Sequence, residues 1–190
     1  MRVLVTGFTP FGKHRSNPTE RLAREADGRR VGGALLAGRV LPTEFRGCDR
    51  ALDSALRETR PDAVLMFGLD GRRKRLALEC VALNVDHAEK PDNAGRQPWR
   101  RPIDPRGPTV VESTLPVDRL HSALRRAGMA VAVSYHAGTY VCNHAFYRAV
   151  RRAGRARVGF IHVPKTISPR RLRRALTILV RLLARRGNMH

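Results

Sequence analysis

The sequence predicts an α/β protein: a single-domain three-layer α/β/α sandwich built on a mainly parallel, twisted sheet. Three observations predict it. Short apolar runs rich in β-branched residues alternate along the chain with runs of helical period, in the order strand, helix, strand, helix. Strand-like runs close at glycines, as at Gly7 and Gly68. The 190 residues suffice for one hydrophobic core, with no internal repeat and no low-complexity tail, so the domain is taken as residues 1–190.

Arg2 to Thr6 reads as the first strand. Asn17-Pro18-Thr19-Glu20 then supplies an N-cap, a proline at the first helical position and an acid at N3, opening a helix through about Ala26. Leu35 to Leu41 is a second strand, and Asp49 to Thr59 a helix with Leu52, Ala55 and Leu56 inward. Ala63 to Phe67 is a third strand, and Leu76 to Leu83 reads as another. From Asn84 to Thr109 the chain turns to Pro, Gly, Asp and Arg, a loop whose length marks it as functional, as a lid or an assembly surface. A helix over Val117–Ala127 leads to a strand over Ala130–Tyr135. After the turn at Gly138, Val141, Ala145, Phe146, Ala149 and Val150 share one face of a helix ending near Gly154. Val158 to Val163 is a further strand, expected to lie beside Ala130–Tyr135 in the parallel sheet. The chain closes on a basic amphipathic helix over about 168–186, with Leu172, Leu176, Leu179 and Leu183 as its apolar stripe.

The net charge of +21 invites a nucleic-acid reading, but its distribution opposes one. The excess is nearly all arginine and spread over the whole chain, with local clusters at Arg72-Arg73-Lys74-Arg75, Arg151-Arg152, Arg170-Arg171 and Arg173-Arg174. No aromatic residues interleave those clusters, as a stacking platform for single strands requires. A solvated basic face over a packed core is the expectation, without a nucleic-acid partner. Met1 to Gly7 reaches a turn signal too soon for a signal peptide, and no apolar run approaches the roughly 18 residues of a membrane span. The expected location is the cytoplasm, away from membranes. Cys48, Cys80 and Cys142 are odd in number and have no metal-type spacing, so neither a disulfide framework nor a metal site is expected.

Cys142 falls at the start of its helix, where unpaired N–H groups and the macrodipole favour thiolate over thiol. His162 stands at the C-terminal end of an apolar strand, the edge at which open α/β sheets gather their sites. A buried ring there needs a partner, and so does Glu79, a lone carboxylate in another apolar strand. Core filler is the ordinary fate of a cysteine or a histidine, but these two are expected to meet as a thiol nucleophile and its base. Phe8 and Phe11 lie on the loop after the first strand, at the same edge, as rings that fill core or line a slot for a flat ligand. The same loop nearly spells a phosphate-binding pattern, Gly7 to Lys13, but His14 stands where the hydroxyl is required and Pro10 and the delayed helix break the nest, so no nucleotide is expected.

Taken together, Val5-Thr6-Gly7-Phe8-Thr9-Pro10-Phe11-Gly12 with Asn17-Pro18, Leu41-Pro42-Thr43, Leu78 to Val85, Pro91-Asp92-Asn93, Ala137 to His144 and Gly159 to Pro164 resemble, in order and spacing, the pyroglutamyl peptidase type I family, the pyrrolidone-carboxylate peptidases. The resemblance runs over about residues 2–165. It implies a cytosolic cysteine peptidase of α/β/α fold, without metal or cofactor, commonly a homo-oligomer (dimer or tetramer), that removes N-terminal pyroglutamate from peptides. By position it implies Cys142, His162 and Glu79 as the Cys-His-Glu group, Phe8 and Phe11 as the rings that hold the pyroglutamyl ring, and Thr43 as a polar residue near that pocket. Three places depart from the family pattern. Glu89-Lys90 stands where an arginine and an apolar residue are usual, Leu69-Asp70-Gly71-Arg72 replaces a Gln-Ala-Gly-Gly type loop, and Cys80 follows Glu79 where arginine is common.

Overall fold

A computed structural model of the chain describes residues 1–12 and 14–185. Lys13, in the phosphate-loop look-alike, and Arg186, at the end of the expected last helix, lie outside the described residues. Fourteen elements follow in the order β1 (Arg2–Phe8), α1 (Pro18–Ala26), β2 (Arg30–Val31), β3 (Ala34–Leu41), α2 (Phe45–Thr59), β4 (Ala63–Leu69), β5 (Leu76–Glu79), β6 (Val81–Leu83), β7 (Val110–Glu112), α3 (Val117–Arg126), β8 (Val131–Ser134), α4 (Val141–Arg152), β9 (Arg157–Val163) and α5 (Pro169–Ala184). Seven strands form one sheet in the order β2-β3-β1-β4-β9-β5-β8. The pairs β1–β3, β1–β4, β4–β9 and β5–β8 are parallel; β2–β3 and β5–β9 are antiparallel.

The two-residue period of the strands divides the core in two. Val3, Val5, Leu65, Phe67, Leu76, Leu78, Ile161 and Val163 face a layer of α1, α3 and α5. Leu4, Phe8, Val64, Met66, Val158 and Phe160 face α2 and α4. Glu79 and His162 share parity with this second set, and so point toward the α4 side of the sheet. Helix starts follow local signals where the sequence carries them. Asn17 Oδ1 accepts the Thr19 N–H at 3.0 Å to open α1 ahead of Pro18, and Ser168 Oγ accepts the Arg171 N–H at 3.3 Å to open α5 ahead of Pro169.

Three expectations are corrected, and one strand is new. The strand read over Leu76–Leu83 breaks at Cys80: β5 stays in the main sheet, while β6 leaves it to pair with β7 in a two-stranded ribbon. α2 begins at Phe45 rather than Asp49, because its first N–H is bound by Asp92 Oδ2 at 2.8 Å, a cap supplied from the 84–109 loop. The two-residue β2 was not foreseen; it folds back on β3 across a tight turn at Gly32-Gly33. Lastly, β8 does not lie beside β9. The connection 70–75 is too short for the dozen or more residues of a parallel crossover, so β5 runs antiparallel to β9 and separates it from β8.

The 84–109 loop is strapped down. Asp86 and Arg101 exchange backbone hydrogen bonds at 2.7 and 2.9 Å, Ala88 N–H reaches Pro98 O, and Asn84 Nδ2 reaches Asp104 O at 2.7 Å. Asn93 Nδ2 donates to Pro10 O and Tyr140 Oη to Pro91 O, so the strap joins the loop after β1 to the start of α4.

Candidate active site

Three elements meet at the C-terminal edge of β4 and β9. His162 Nδ1 lies 2.8 Å from Glu79 Oε1, both side chains buried, across the antiparallel β5–β9 pair. The carboxylate accepts the Nδ1 proton, which leaves Nε2 as the basic nitrogen. Gly68 is the register partner of His162, and a Cβ at Gly68 would stand 2.9 Å from Cys142 Sγ. The missing side chain therefore makes the room in which the sulfur sits beside the histidine strand.

Cys142 occupies the second position of α4, delivered by the segment 135–140 that crosses back from the end of β8. Its helix has no side-chain cap and no acid in the first turn. The first intrahelical bond runs from His144 N–H to Tyr140 O, so the amides of Val141, Cys142 and Asn143 stand ahead of the helical ladder. These donors surround the sulfur with positive dipole, as the sequence suggests, yet they do not prevail. Burial, with the nearby Asp70 and Glu79 carboxylates, pushes the Cys142 thiol up to about 12. Burial and these carboxylates favour the thiol form of the sulfur.

α4 is held in place just beyond the cysteine. His144 Nδ1 sits 2.9 Å from Asp86 Oδ2, and its Nε2 sits 3.3 Å from Asp49 Oδ1. Burial opposes the charged ring, but bonding to Asp49 and Asp86 outweighs it and raises His144 to about 9. Asn143 adds a second tie, exchanging hydrogen bonds with Leu83 N–H and O at 2.8 Å each.

The sequence-predicted rings take separate places. Phe8 is buried in the core, its ring 6.1 Å from Phe160, whose own ring lies 4.8 Å from His162. Phe11 is half-buried on the loop, 6.3 Å from Tyr140 and 5.2 Å from His14. Thr43 is buried with its hydroxyl committed to the same loop, donating to Thr9 O at 2.8 Å, while its N–H donates to Thr9 Oγ1. Glu89 and Lys90 are exposed on the strap. Sequence reasoning missed Tyr140, which faces Phe11 across the start of α4, and Arg73, which reaches Glu79 Oε1 at 2.9 Å. Tyr140 carries the signal of a ring at an N-cap; Arg73 is hidden among four consecutive cations. Among the described residues no group of three or more His, Cys, Asp or Glu converges as a metal site, and all three cysteines are unpaired.

The model of the family described as pyroglutamyl peptidase matches residues 1–172. The chain belongs to the pyroglutamyl peptidase family. It is 44% identical over 162 residues to the pyrrolidone-carboxylate peptidase of Chromobacterium violaceum, covering 85% of this chain and 77% of that one. It is 40% identical over 168 residues to the pyrrolidone-carboxylate peptidase of Pyrococcus furiosus, covering 86% and 81%. The solved pyrrolidone carboxyl peptidase of Thermococcus litoralis superposes with a TM-score of 0.92 at 31% identity, over 100% of this chain and 98% of that chain. Membership in the pyroglutamyl peptidase family thus extends through the α/β/α fold to all the elements that carry Glu79, Cys142 and His162.

Proposed function

We propose that the chain is a cysteine peptidase that removes N-terminal pyroglutamate from peptides, with Cys142 as nucleophile, His162 as general base and acid, and Glu79 orienting His162. The observation that carries this reading is the Glu79–His162 hydrogen bond at the sheet edge where Cys142 Sγ lies over Gly68. His162 Nε2 takes the thiol proton as sulfur attacks the carbonyl carbon that joins pyroglutamate to the next residue. The negative oxygen so formed is met by the free amides of the first turn of α4. Collapse breaks the C–N bond, and the amine leaves with the proton from His162. Water then attacks the thioester and gives a proton to His162; the C–S bond breaks, pyroglutamate departs and sulfur recovers its proton. Phe11 and Tyr140 flank the flat ring of the substrate, Phe8 backs the site from the core, and Thr43 fastens the loop that carries Phe11.

A pyroglutamyl amide reporter and an ordinary aminoacyl reporter test the reading. Release is expected from the first alone, and Cys142→Ala is expected to lower it by at least about 10³-fold. Release that survives the substitution, or none from the pyroglutamyl reporter, sinks the mechanism. A cytoplasmic location belongs to the same proposal, supported by three unpaired thiols; no described helix is long and apolar enough to cross a membrane. So does self-association as a dimer or tetramer, which sedimentation of a monomer at micromolar concentration would remove.

A further inference from the structure

We infer that Arg73, anchored by Asp70, is a positioning residue that holds the Glu79 carboxylate on His162 and braces the segment leading to Cys142. The inference rests on the reading of Cys142, His162 and Glu79 given above.

Arg73 lies in the turn between β4 and β5, in a run of four cations. Its neighbour Arg72 is 92% exposed along its side chain, whereas Arg73 is 26% exposed and turns inward. Its Nε donates to Asp70 Oδ2 at 3.3 Å. Its Nη2 donates to Glu79 Oε1 at 2.9 Å and to Ser134 Oγ at 3.1 Å, with His136 O at 3.4 Å. One guanidinium thus joins the β4–β5 turn, the end of β5, the end of β8 and the segment that carries the chain to α4.

The carboxylate oxygen that receives Arg73 is the one bonded to His162. Glu79 is 1% exposed, and its second oxygen, Oε2, has no partner among the described residues. A buried carboxylate satisfied at one oxygen only is costly as an anion, and an imidazole that must itself gain and lose a proton is no steady counter-charge. Arg73 is a permanent one. Asp70 secures it: burial opposes this carboxylate, but the Arg72 N–H, His162 and the Arg72 and Arg73 cations together hold it below the usual range.

The consequence is positional. With Arg73 on Oε1, Glu79 keeps that oxygen on His162 Nδ1, and the same guanidinium ties Ser134 Oγ and His136 O ahead of α4. Without it the carboxylate is free to turn away from the ring, and the pair and the segment that delivers Cys142 lose their common brace.

The test measures kcat and KM separately on a pyroglutamyl amide reporter for the parent, Arg73→Gln and Arg73→Lys, with melting curves recorded alongside. Arg73→Gln is expected to lower kcat by about 10²-fold while KM stays within about threefold of the parent, the result of misplacing a catalytic pair by about an ångström. Arg73→Lys keeps the charge but cannot span both carboxylates, so it is expected to recover part of the lost kcat. Parental kcat in Arg73→Gln, or a rise in KM that accounts for the whole loss, overturns the inference. Should Arg73→Gln not fold, Arg73→Lys decides: parental kcat, or a loss confined to KM, overturns it. Cys142→Ala separates the two levels, because activity surviving there removes the nucleophile reading, whereas an inactive Cys142→Ala with parental kcat in Arg73→Gln removes only the role of Arg73.

Discussion

Gly68 is the residue on which the position of the sulfur depends. A methyl group there would come within 2.6 Å of Phe160 Cζ and 2.9 Å of Cys142 Sγ. Phe160 cannot give way easily, since its ring packs against Phe8, Phe146 and His162 at centroid distances of 6.1, 5.8 and 4.8 Å. The sulfur is the freer neighbour and would be displaced. Gly68→Ala is therefore expected to lower kcat/KM by about 10²-fold, the usual result of moving a reacting atom by about an ångström. Overpacking should also lower stability by about 1–3 kcal/mol, read from denaturant unfolding. Parental kcat/KM in this variant would show that the sulfur does not work from above Gly68. In the sequence Gly68 reads only as the end of a strand; that it makes room for sulfur depends on a helix 70 residues later. The Glu79–His162 contact is legible because each is a lone polar group in an apolar strand, which demands a partner, and Cys142 stands out by its place at a helix start. Arg73 is not, since nothing within a run of four cations tells which one folds inward. The ionisation state of Cys142 also escapes the sequence: a helix start argues for thiolate, but burial opposes it, helped by the carboxylates of Asp70 in the β4–β5 turn and Glu79 in β5.

Elements whose ends are fixed by their own residues, α1 and α5 above all, are where the sequence places them; those fixed from far away are not. α2 starts four residues early because Asp92 caps it across the fold, and β5 parts from β6 because Cys80 begins the ribbon with β7. α4 is pinned the same way, by the buried His144 between Asp86 and Asp49, with Arg148 Nε also on Asp49 at 2.7 Å. A pH dependence follows. The ring is raised to about 9 in the folded chain, against about 6.5 when unfolded. Its contribution is fully present below about 6.5 and is lost as the pH rises through about 9. Between those limits the parent is expected to lose on the order of 3 kcal/mol more unfolding free energy than His144→Asn, measured by denaturant titration at each pH. Parallel curves for the two proteins would mean that His144 is neutral in its site and that α4 is held by Asn143, Arg148 and packing instead.

At the scale of the molecule the excess of positive charge is the dominant long-range force. The net charge is +21, and α5 alone carries Arg170, Arg171, Arg173, Arg174 and Arg181 with no acid. Among the described residues only Arg173 of these reaches a carboxylate, Glu25 at 3.1 Å. Other pairs on this face, Arg21–Glu25 and Arg24–Glu20, join neighbours on one exposed helix, where each contributes less than about 1 kcal/mol. Arginines without acids repel one another over distances comparable with the screening length, and the compact state carries that repulsion more than the unfolded chain does. Added salt should then stabilise the fold, the reverse of the effect expected when surface ion pairs dominate. Raising sodium chloride from about 0.02 M to about 0.3 M at neutral pH is expected to raise Tm by several degrees, about 2–4 °C for each kcal/mol of repulsion screened. A Tm that falls over the same range would show that the ion pairs outweigh the repulsion. An Arg170→Glu and Arg174→Glu double variant locates the effect: it lowers the net charge by four on the α5 face and is expected to melt higher at low salt and respond less to added salt than the parent.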